Sequence, residues 1–280
     1  MKLVKPEFQI IEPTGYTIDD IYKSIELAGR VSHRSEDKIT ETSAKDFVGR
    51  MLNMKHLATC EFGTIYLYID YHNPSFGKII DKYNNNQYSK CIIDNVFPDK
   101  AYISSNYRVL VENNWLDDLK YLCEPTEYHH KRYTVKFILD RAIANEFVRH
   151  RKFSFLQEST RYCRYSANRF NNELTFIEPC WLTPDMKSNL TYLNYVDTLQ
   201  KIEDTYITLT KNGWKAEEAR NILPLCLKTE LYMCGFAEDW KKFFELRSKK
   251  YGVGNPHPQA DELATPLYEE FIKRGYINER

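Results

Sequence analysis

The sequence has no glycine-rich phosphate loop, no C-x-x-C pair and no long apolar run. Its 280 residues contain only 10 glycines. None of them forms the G-x-G-x-x-G fingerprint or a P-loop, so a dinucleotide would have to be bound in another way than in a Rossmann fold. No apolar stretch approaches the roughly 20 residues that cross a bilayer. We therefore predict that the protein has no membrane partner.

The cysteines are scattered along the chain and odd in number. There are seven of them, and no signal peptide is recognisable, so the pattern favours free thiols in a reducing compartment over a disulfide framework. This predicts a cytoplasmic protein. The seven are Cys60, Cys91, Cys123, Cys163, Cys180, Cys226 and Cys234.

Charge is balanced overall but uneven along the chain. Lys and Arg (39) equal Asp and Glu (39), which gives no reason to expect nucleic acid as a partner. Between residues 141 and 169, however, the basic residues outnumber the two acidic ones, Glu146 and Glu158. A local basic patch in a neutral protein points to a small anionic ligand. The basic residues are Arg141, Arg149, Arg151, Lys152, Arg161, Arg164 and Arg169.

Helical and strand patterns interleave without a regular alternation of strand, helix and strand. This favours an α+β fold, with a mixed or antiparallel sheet flanked by helices, over a doubly wound sheet. No linker or repeat divides the sequence, so we predict one domain over residues 1–280. The predicted strands are 64–71 and 133–138, the predicted helices are 17–29, 140–148, 190–209, 216–222, 237–249 and 260–274, and 252–258 is predicted to be a loop.

Local signals refine some of these elements. Thr17 or Asp19 fits the N-cap of the first helix, and Ser43 with Asp46 resembles a capping box that opens a second helix. Residues 229–236 fit either a strand or an apolar helix, because periodicity cannot separate the two for so short a run.

The segment 149–161, RHRKFSFLQESTR, carries the most chemical information. Its three arginines are planar, permanently charged forks that bind phosphate through paired hydrogen bonds. Its histidine, serines and Gln-Glu pair add further hydrogen-bonding groups. These residues suit a phosphorylated, base-bearing small molecule; a solvated basic loop and an RNA contact are the alternatives. The apolar side chains expected to anchor the segment are Phe147, Val148, Phe153, Phe155 and Leu156.

The same segment fits the pattern R-H-R-x-x-S-x-x-x-x-S-x-R at every fixed position, and in this it resembles the flavin-dependent thymidylate synthases. Residues 72–130 are the least similar to that family and are predicted to be an insertion. The other stretches that resemble the family are 26–32, 56–61, 218–225, 243–247 and 257–259.

The resemblance implies an enzyme that converts dUMP to dTMP, with methylenetetrahydrofolate as the one-carbon donor and NADPH as the reductant of a bound FAD. It also implies a homotetramer with shared active sites, no metal, and Arg247 as the catalytic residue. The residues implied to bind dUMP are Glu146, Arg149, Gln157, Glu158, Ser159, Arg161, Arg220 and Arg247. Those implied to bind FAD are Thr64, Arg149, His150, Arg151, Gln157 and His257.

Three departures from the family pattern keep an alternative open. Phe62 replaces a histidine, Gln157 replaces a glutamate, and Phe236 lies where side chains of some relatives contact the flavin. A non-catalytic nucleotide-binding or RNA-binding protein that retains the fold would account for these departures.

Other motifs carry less weight. The Pro-Cys pair at Cys180 superficially resembles the nucleophile of the flavin-independent thymidylate synthases, but no histidine lies next to it, so a buried thiol is predicted. The run 129–132 contains two histidines, but adjacent side chains do not face one point, so a solvated turn is predicted there. His150 lies between two arginines, which predicts a lowered pKa and a neutral ring.

Overall fold

A computed structural model describes residues 1–94 and 99–279, apart from the side chain of Arg169. It confirms the predicted α+β class, with helices flanking antiparallel sheets. The strands are β1 (Lys2–Val4), β2 (Glu7–Ile11), β3 (Thr64–Asp70), β4 (Lys90–Ile93), β5 (Lys100–Asn106), β6 (Arg132–Asp140), β7 (Ser154–Gln157), β8 (Thr175–Ile177) and β9 (Lys228–Phe236). The helices are α1 (Ile18–Arg30), α2 (Ser43–Asn53), α3 (Phe76–Asn84), α4 (Tyr107–Glu112), α5 (Arg141–Phe147), α6 (Leu190–Lys211), α7 (Ala216–Ala219), α8 (Ala237–Arg247) and α9 (Pro258–Lys273).

The larger sheet has four antiparallel strands in the order β2-β6-β9-β7. Strand β9 is hydrogen-bonded on both edges, and every residue in it after Lys228 is buried. The segment 229–236 is therefore a strand. A strand buried on both faces shows no alternation of apolar and polar residues, which is why periodicity could not identify it.

One face of this sheet packs against α5, α8 and α9. Phe137 of β6 and Leu231 of β9 share an apolar cluster with Trp240 of α8, and most of its members are fully buried. Interiors this densely packed hold their elements rigidly. The packing therefore fixes the positions of Glu146 on α5 and Arg247 at the end of α8.

A second sheet has three antiparallel strands in the order β3-β5-β4, and β1 and β8 form a two-stranded parallel sheet. The apolar face of the three-stranded sheet shares one cluster with α1 and α2, in which Ile25, Phe47, Leu67, Tyr83 and Ile103 are buried. Elements of the 72–130 segment thus belong to the same core as α1 and β3. That the segment is an insertion relative to the family stays a prediction.

The predicted elements are observed within two residues of their expected ends, except that 216–222 divides into α7 and a short 3-10 turn. Thr17 is the N-cap of α1 and forms a reciprocal capping box with Asp20. The predicted capping box at Ser43 is wrong. The Ser43 hydroxyl instead donates to the carboxylate of Glu26 at 2.7 Å, so it joins α2 to α1.

The prediction of a solvated turn at residues 129–132 is also wrong. His129 is only 4% exposed, and its Nε2 lies 3.1 Å from the carbonyl oxygen of Leu67. His130 Nδ1 lies 2.6 Å from the carboxylate of Glu238. Contacts to the distant elements β3 and α8 order this segment, and a local sequence pattern does not reveal such contacts.

Within residues 1–94 and 99–279, no helix has both the length and the apolarity to span a membrane.

Candidate functional site

The 149–161 segment follows α5 and contains β7, and apolar residues in and next to it anchor it. Phe147 and Phe153 are buried in the main core, and the Phe153 N–H donates to the His150 carbonyl at 3.1 Å. This tight turn leaves Arg149 and Arg151 exposed on either side of a half-buried His150. The two arginines are therefore available to an external anion.

Arg247, at the end of α8, meets the end of α5. Its Nε donates to His150 Nε2 at 3.2 Å, and its Nη2 donates to the Glu146 carbonyl at 3.1 Å. Nη1 forms an ion pair with the Glu146 carboxylate. The Arg247 side chain is only 18% exposed. The fold thus brings together three of the predicted site residues, which come from segments about a hundred positions apart.

The ring of His150 is neutral in this arrangement. Burial and the adjacent Arg247 guanidinium lower the pKa of His150 to about 4. Because Arg247 Nε–H is a donor, His150 Nε2 must be the acceptor, which places the ring proton on Nδ1. The predicted direction of the shift is confirmed, although its causes are burial and Arg247 rather than the flanking Arg149 and Arg151.

Gln157 and Glu158, adjacent in sequence, point to opposite faces of the sheet. Gln157 Nε2 donates to the Thr229 hydroxyl at 3.3 Å, and Arg141 donates to the same oxygen at 3.4 Å. Glu158 is 1% exposed and accepts a hydrogen bond from the Tyr165 hydroxyl at 2.9 Å. Gln157 ends β7 and Glu158 follows it directly, so the alternation of side chains along an extended chain accounts for the difference. Within one chain the two residues therefore do not face a common space.

Glu158 belongs to a group of two buried carboxylates and three partly buried cations, which we call the ion cluster: Arg34, Lys136, Glu158, Lys228 and Glu230. Lys228 Nζ lies 3.1 Å from the Glu158 carboxylate and 2.7 Å from that of Glu230. Arg34 and Lys136 each lie 2.7 Å from Glu230. Burial would raise the pKa of Glu230, but Lys228 and Arg34 outweigh it and hold the pKa at about 2. Glu230 is thus charged, and both carboxylates have cation partners.

Ser159 and Arg161 lie in the turn that follows β7. The Ser159 N–H donates to the Ser32 carbonyl at 3.1 Å, which ties this turn to the segment after α1. Arg161 is about half exposed and lies 3.5 Å from the carboxylate of Glu217 on α7. Arg220 is exposed in the 3-10 turn that begins where α7 ends. Arg161 and Arg220 are therefore on neighbouring segments.

Two cavities adjoin Arg132, at the start of β6. The first has a volume of about 230 Å³ and is lined by Thr64 and several tyrosines. The second, which we call the cleft, has a volume of about 430 Å³ and is lined by Arg151 and Ser154. Arg132 lines both. Neither cavity is lined by Arg161, Arg220 or Arg247.

His257 lines neither cavity. It is the N-cap of α9, and its Nδ1 accepts from the Gln259 N–H at 3.3 Å.

Cys180 is half buried, and burial together with Glu262 raises the pKa of its thiol. A raised pKa disfavours the thiolate that a nucleophile requires. The described residues contain no group of His, Cys, Asp and Glu side chains arranged for a metal ion.

Sequence reasoning missed Arg132, Arg34 and Lys228. A usable signal existed for Lys228, because Lys228 and Glu230 are two apart in a strand and therefore share a face. Arg34 gave no signal, since its role depends on a left-handed backbone (φ 50°) that directs it toward distant carboxylates.

Comparison with known proteins gives consistent matches. The family model described as "Thymidylate synthase complementing protein" matches residues 96–274, which is well over half of the chain. A probable flavin-dependent thymidylate synthase of Paramecium bursaria Chlorella virus 1 is 29% identical over 156 residues, covering 50% of this chain and 66% of that protein. The flavin-dependent thymidylate synthase of Synechocystis sp. is 30% identical over 119 residues, covering 41% of this chain and 55% of that protein.

Similar solved structures include a UMP/dUMP methylase, PolB, from Streptomyces cacaoi. It covers 98% of this chain and 92% of its own, with 14% identity and a TM-score of 0.45, values too low to establish a shared fold. The chain covers less than two thirds of the length of the curated relatives named above. The part of the chain that the family model matches contains the whole 149–161 signature together with Arg220 and Arg247. The chain therefore belongs to the thymidylate synthase complementing protein family, which confirms the resemblance to the flavin-dependent thymidylate synthases.

Proposed function

We propose that the protein is an FAD-dependent thymidylate synthase. It would convert dUMP to dTMP with methylenetetrahydrofolate as the one-carbon donor and NADPH as the reductant, in the cytoplasm. The observation that carries the proposal is the meeting of Arg247 with Glu146 and His150, next to a complete 149–161 signature. The relatives named flavin-dependent thymidylate synthase support it.

The residues present fit a flavin dinucleotide. Thr64 and Arg151 line the two cavities on either side of Arg132, and Arg149 and His150 lie beside Arg151 in the chain. The exposed guanidinium groups suit a diphosphate, and the neutral His150 ring is a hydrogen-bond partner without charge. When bound, the flavin supplies the redox chemistry of the reaction.

The protein's own contribution would be binding, orientation and charge stabilisation. Ser159, Arg161 and Arg220 would hold the nucleotide phosphate, because they present a hydroxyl and two exposed guanidinium groups on neighbouring segments. Arg247 would face the pyrimidine and stabilise negative charge that develops on the ring. Glu146 would hold Arg247 in position through contacts to its Nη1 and Nη2.

We also propose that the active site is shared between subunits of a homotetramer. The segment with Arg161 and Arg220 and the group around Arg247 line neither of the two cavities described above. Large apolar side chains are exposed near these segments, including Leu225 and Leu246, each 63% exposed. Exposed apolar groups of this size are typical of surfaces that other chains cover. Sedimentation at assay concentration is expected to give a tetramer, and a monomer would contradict this part of the proposal.

The proposed function predicts a yellow protein. Purified protein, or protein reconstituted with FAD, should show flavin absorbance that is bleached by NADPH, and it should form dTMP from dUMP and methylenetetrahydrofolate. Protein that binds no FAD and forms no dTMP would refute the proposal. Salt-sensitive binding of oligonucleotides without dUMP binding would instead favour the non-catalytic alternative.

Arg161→Ala is expected to weaken dUMP binding by about 10- to 100-fold, because a charge-assisted hydrogen bond contributes roughly 1.5–3 kcal/mol. FAD affinity should be unchanged, since Arg161 does not line either cavity beside Arg132. Titration of dUMP into FAD-loaded protein measures the first effect, and flavin absorbance after gel filtration measures the second. Lys211→Ala, which removes an exposed charge at the end of α6, is the matched control. Equal losses of dUMP and FAD binding would contradict this assignment.

A further inference from the structure

The short 3-10 turn that follows α1 lies against the turn that follows β7. The Ser32 carbonyl oxygen accepts a hydrogen bond from the Ser159 N–H at 3.1 Å. Two residues further on, Arg34 Nη1 donates to the Glu158 carboxylate at 3.4 Å. Because these contacts lie on either side of His33, they fix its place beside the end of the 149–161 signature.

The ring of His33 is stacked on the ring of Tyr162. The two ring centres are 4.4 Å apart, and the ring planes are inclined by 16°. The Arg161 guanidinium carbon lies 5.2 Å from the centre of the same Tyr162 ring. All three residues are exposed, so a ligand can reach the ring edges of the stack and the guanidinium. An imidazole and a guanidinium are thus held beside one ring at the protein surface.

Hydrogen-bond donors around this stack are available to a ligand. Ser159 Oγ accepts from the Arg161 N–H at 3.2 Å. In the part of the chain that the structure describes, neither the Ser159 O–H nor the Tyr162 O–H has an acceptor. Arg161 lies 3.5 Å from Glu217, but ion pairs between half-exposed side chains hold their partners weakly. The surroundings of the stack therefore suit a ligand that accepts hydrogen bonds and carries negative charge.

We infer that His33 is a further residue of the nucleotide site, and that its ring N–H donates to the 5′-phosphate of dUMP beside Ser159 and Arg161. Phosphate oxygens accept hydrogen bonds, which matches the donors gathered around the stack. An imidazole ring carries an N–H donor in both its neutral and its protonated form. Stacking on Tyr162 limits the rotation of that ring, so little side-chain freedom remains to be lost when the phosphate binds. The inference rests on the proposed function, since it takes dUMP to be the substrate, and it adds a residue that the resemblance to the family did not imply.

His33→Phe separates a hydrogen bond from packing, because phenylalanine can keep the stack but has no N–H. In titrations of dUMP into FAD-loaded protein, His33→Phe is expected to raise the Kd about three- to tenfold, the effect typical of one lost hydrogen bond. His33→Ala, which also removes the stack, should raise the Kd at least as much. Unchanged flavin absorbance shows that both variants keep the fold. His72→Phe is the matched control and should bind dUMP like the unaltered protein, because His72 is also exposed and its ring centre lies 6.1 Å from that of Tyr71.

Steady-state kinetics give a second readout. A contact to the phosphate is the same in the bound substrate and in the transition state, so its loss should raise KM for dUMP and leave kcat unchanged. A lower kcat at unchanged dUMP affinity would contradict the assignment of His33 to the phosphate.

The titrations also separate this inference from the proposed function. A His33→Phe variant that binds dUMP as tightly as the unaltered protein would overturn the inference and leave the proposed function intact. Unaltered protein that binds no dUMP would refute both. Binding of dUMP that depends on His33, without formation of dTMP, would refute the proposed function and leave the inference standing.

Discussion

Arg247→Ala is expected to lower kcat by about 100- to 1000-fold while FAD remains bound. Loss of one donor aimed at developing charge in an enclosed site typically costs this much. Arg247 is suited to that role because Glu146 and His150 hold its guanidinium in a fixed position, so little reorganisation is needed when charge develops. FAD should be retained because Arg247 does not line either cavity beside Arg132. Single-turnover dTMP formation and flavin absorbance measure the two effects.

Controls separate a catalytic role of Arg247 from a structural one. An arginine at a helix end commonly pairs with a carboxylate on its own helix, such as Glu245, but the structure pairs Arg247 with Glu146 instead. Glu245→Ala should therefore leave kcat unchanged. Glu146→Gln should lower kcat by a smaller factor than Arg247→Ala, because it weakens the positioning of Arg247 without removing it. Equal loss of flavin in the Arg247 and Arg161 variants would show that their proposed roles are wrongly divided.

Much of the fold was predictable because its signals are local. The helix that ends at Arg247 and the strand that leads to α5 each follow from spacing over about ten residues. The strands β1, β2, β4, β5, β7 and β8 were not predicted, and β7 has only four residues. Had it been recognised, the alternation of side chains would have predicted that Gln157 and Glu158 face opposite sides.

The charged contacts could not be predicted in the same way. Arg247 and His150 are 97 positions apart, and Arg34 and Glu158 are 124 apart. Which cation meets which carboxylate depends on how β6, β7 and β9 are ordered in the sheet, and a single sequence does not contain that order. The 149–161 motif and the resemblance to the family identified the arginines of the site, whereas the identity of their partners required the tertiary structure.

Lys228→Met is expected to lower the free energy of unfolding by about 1.5–3 kcal/mol at pH 7, because it removes charge-assisted hydrogen bonds to two buried carboxylates. Lys228 is 12% exposed and bridges two carboxylates, Glu158 and Glu230, that are 1% and 4% exposed. Without Lys228, Glu158 keeps only the more distant Arg34, at 3.4 Å, as a cation partner among the described residues, and it must share Arg34 with Glu230. Urea denaturation measures the change. Lys5→Met removes a lysine that is 60% exposed and 3.3 Å from Glu178, and it should cost less than about 1 kcal/mol.

The dependence of this effect on pH shows whether charge is its cause. The pKa of Glu230 lies near 2 in the folded protein against an ordinary value of 4.5. A depressed carboxyl pKa contributes stability that is fully present above the unfolded pKa and is lost as pH falls through the folded pKa. The difference in stability between the unaltered protein and Lys228→Met should therefore shrink as pH falls from about 4.5 to about 2.

Adding Glu230→Gln to Lys228→Met should recover part of the lost stability, because Glu158 and Glu230 share Arg34 in the single variant and removing the charge of Glu230 leaves Arg34 to Glu158. Glu158 keeps Arg34 and the Tyr165 hydroxyl as partners in that double variant, so the ion cluster would contain one cation fewer and one anion fewer. A penalty that is constant with pH, or a double variant less stable than Lys228→Met, would mean that Lys228 stabilises the sheet by packing its aliphatic chain rather than by pairing its charge.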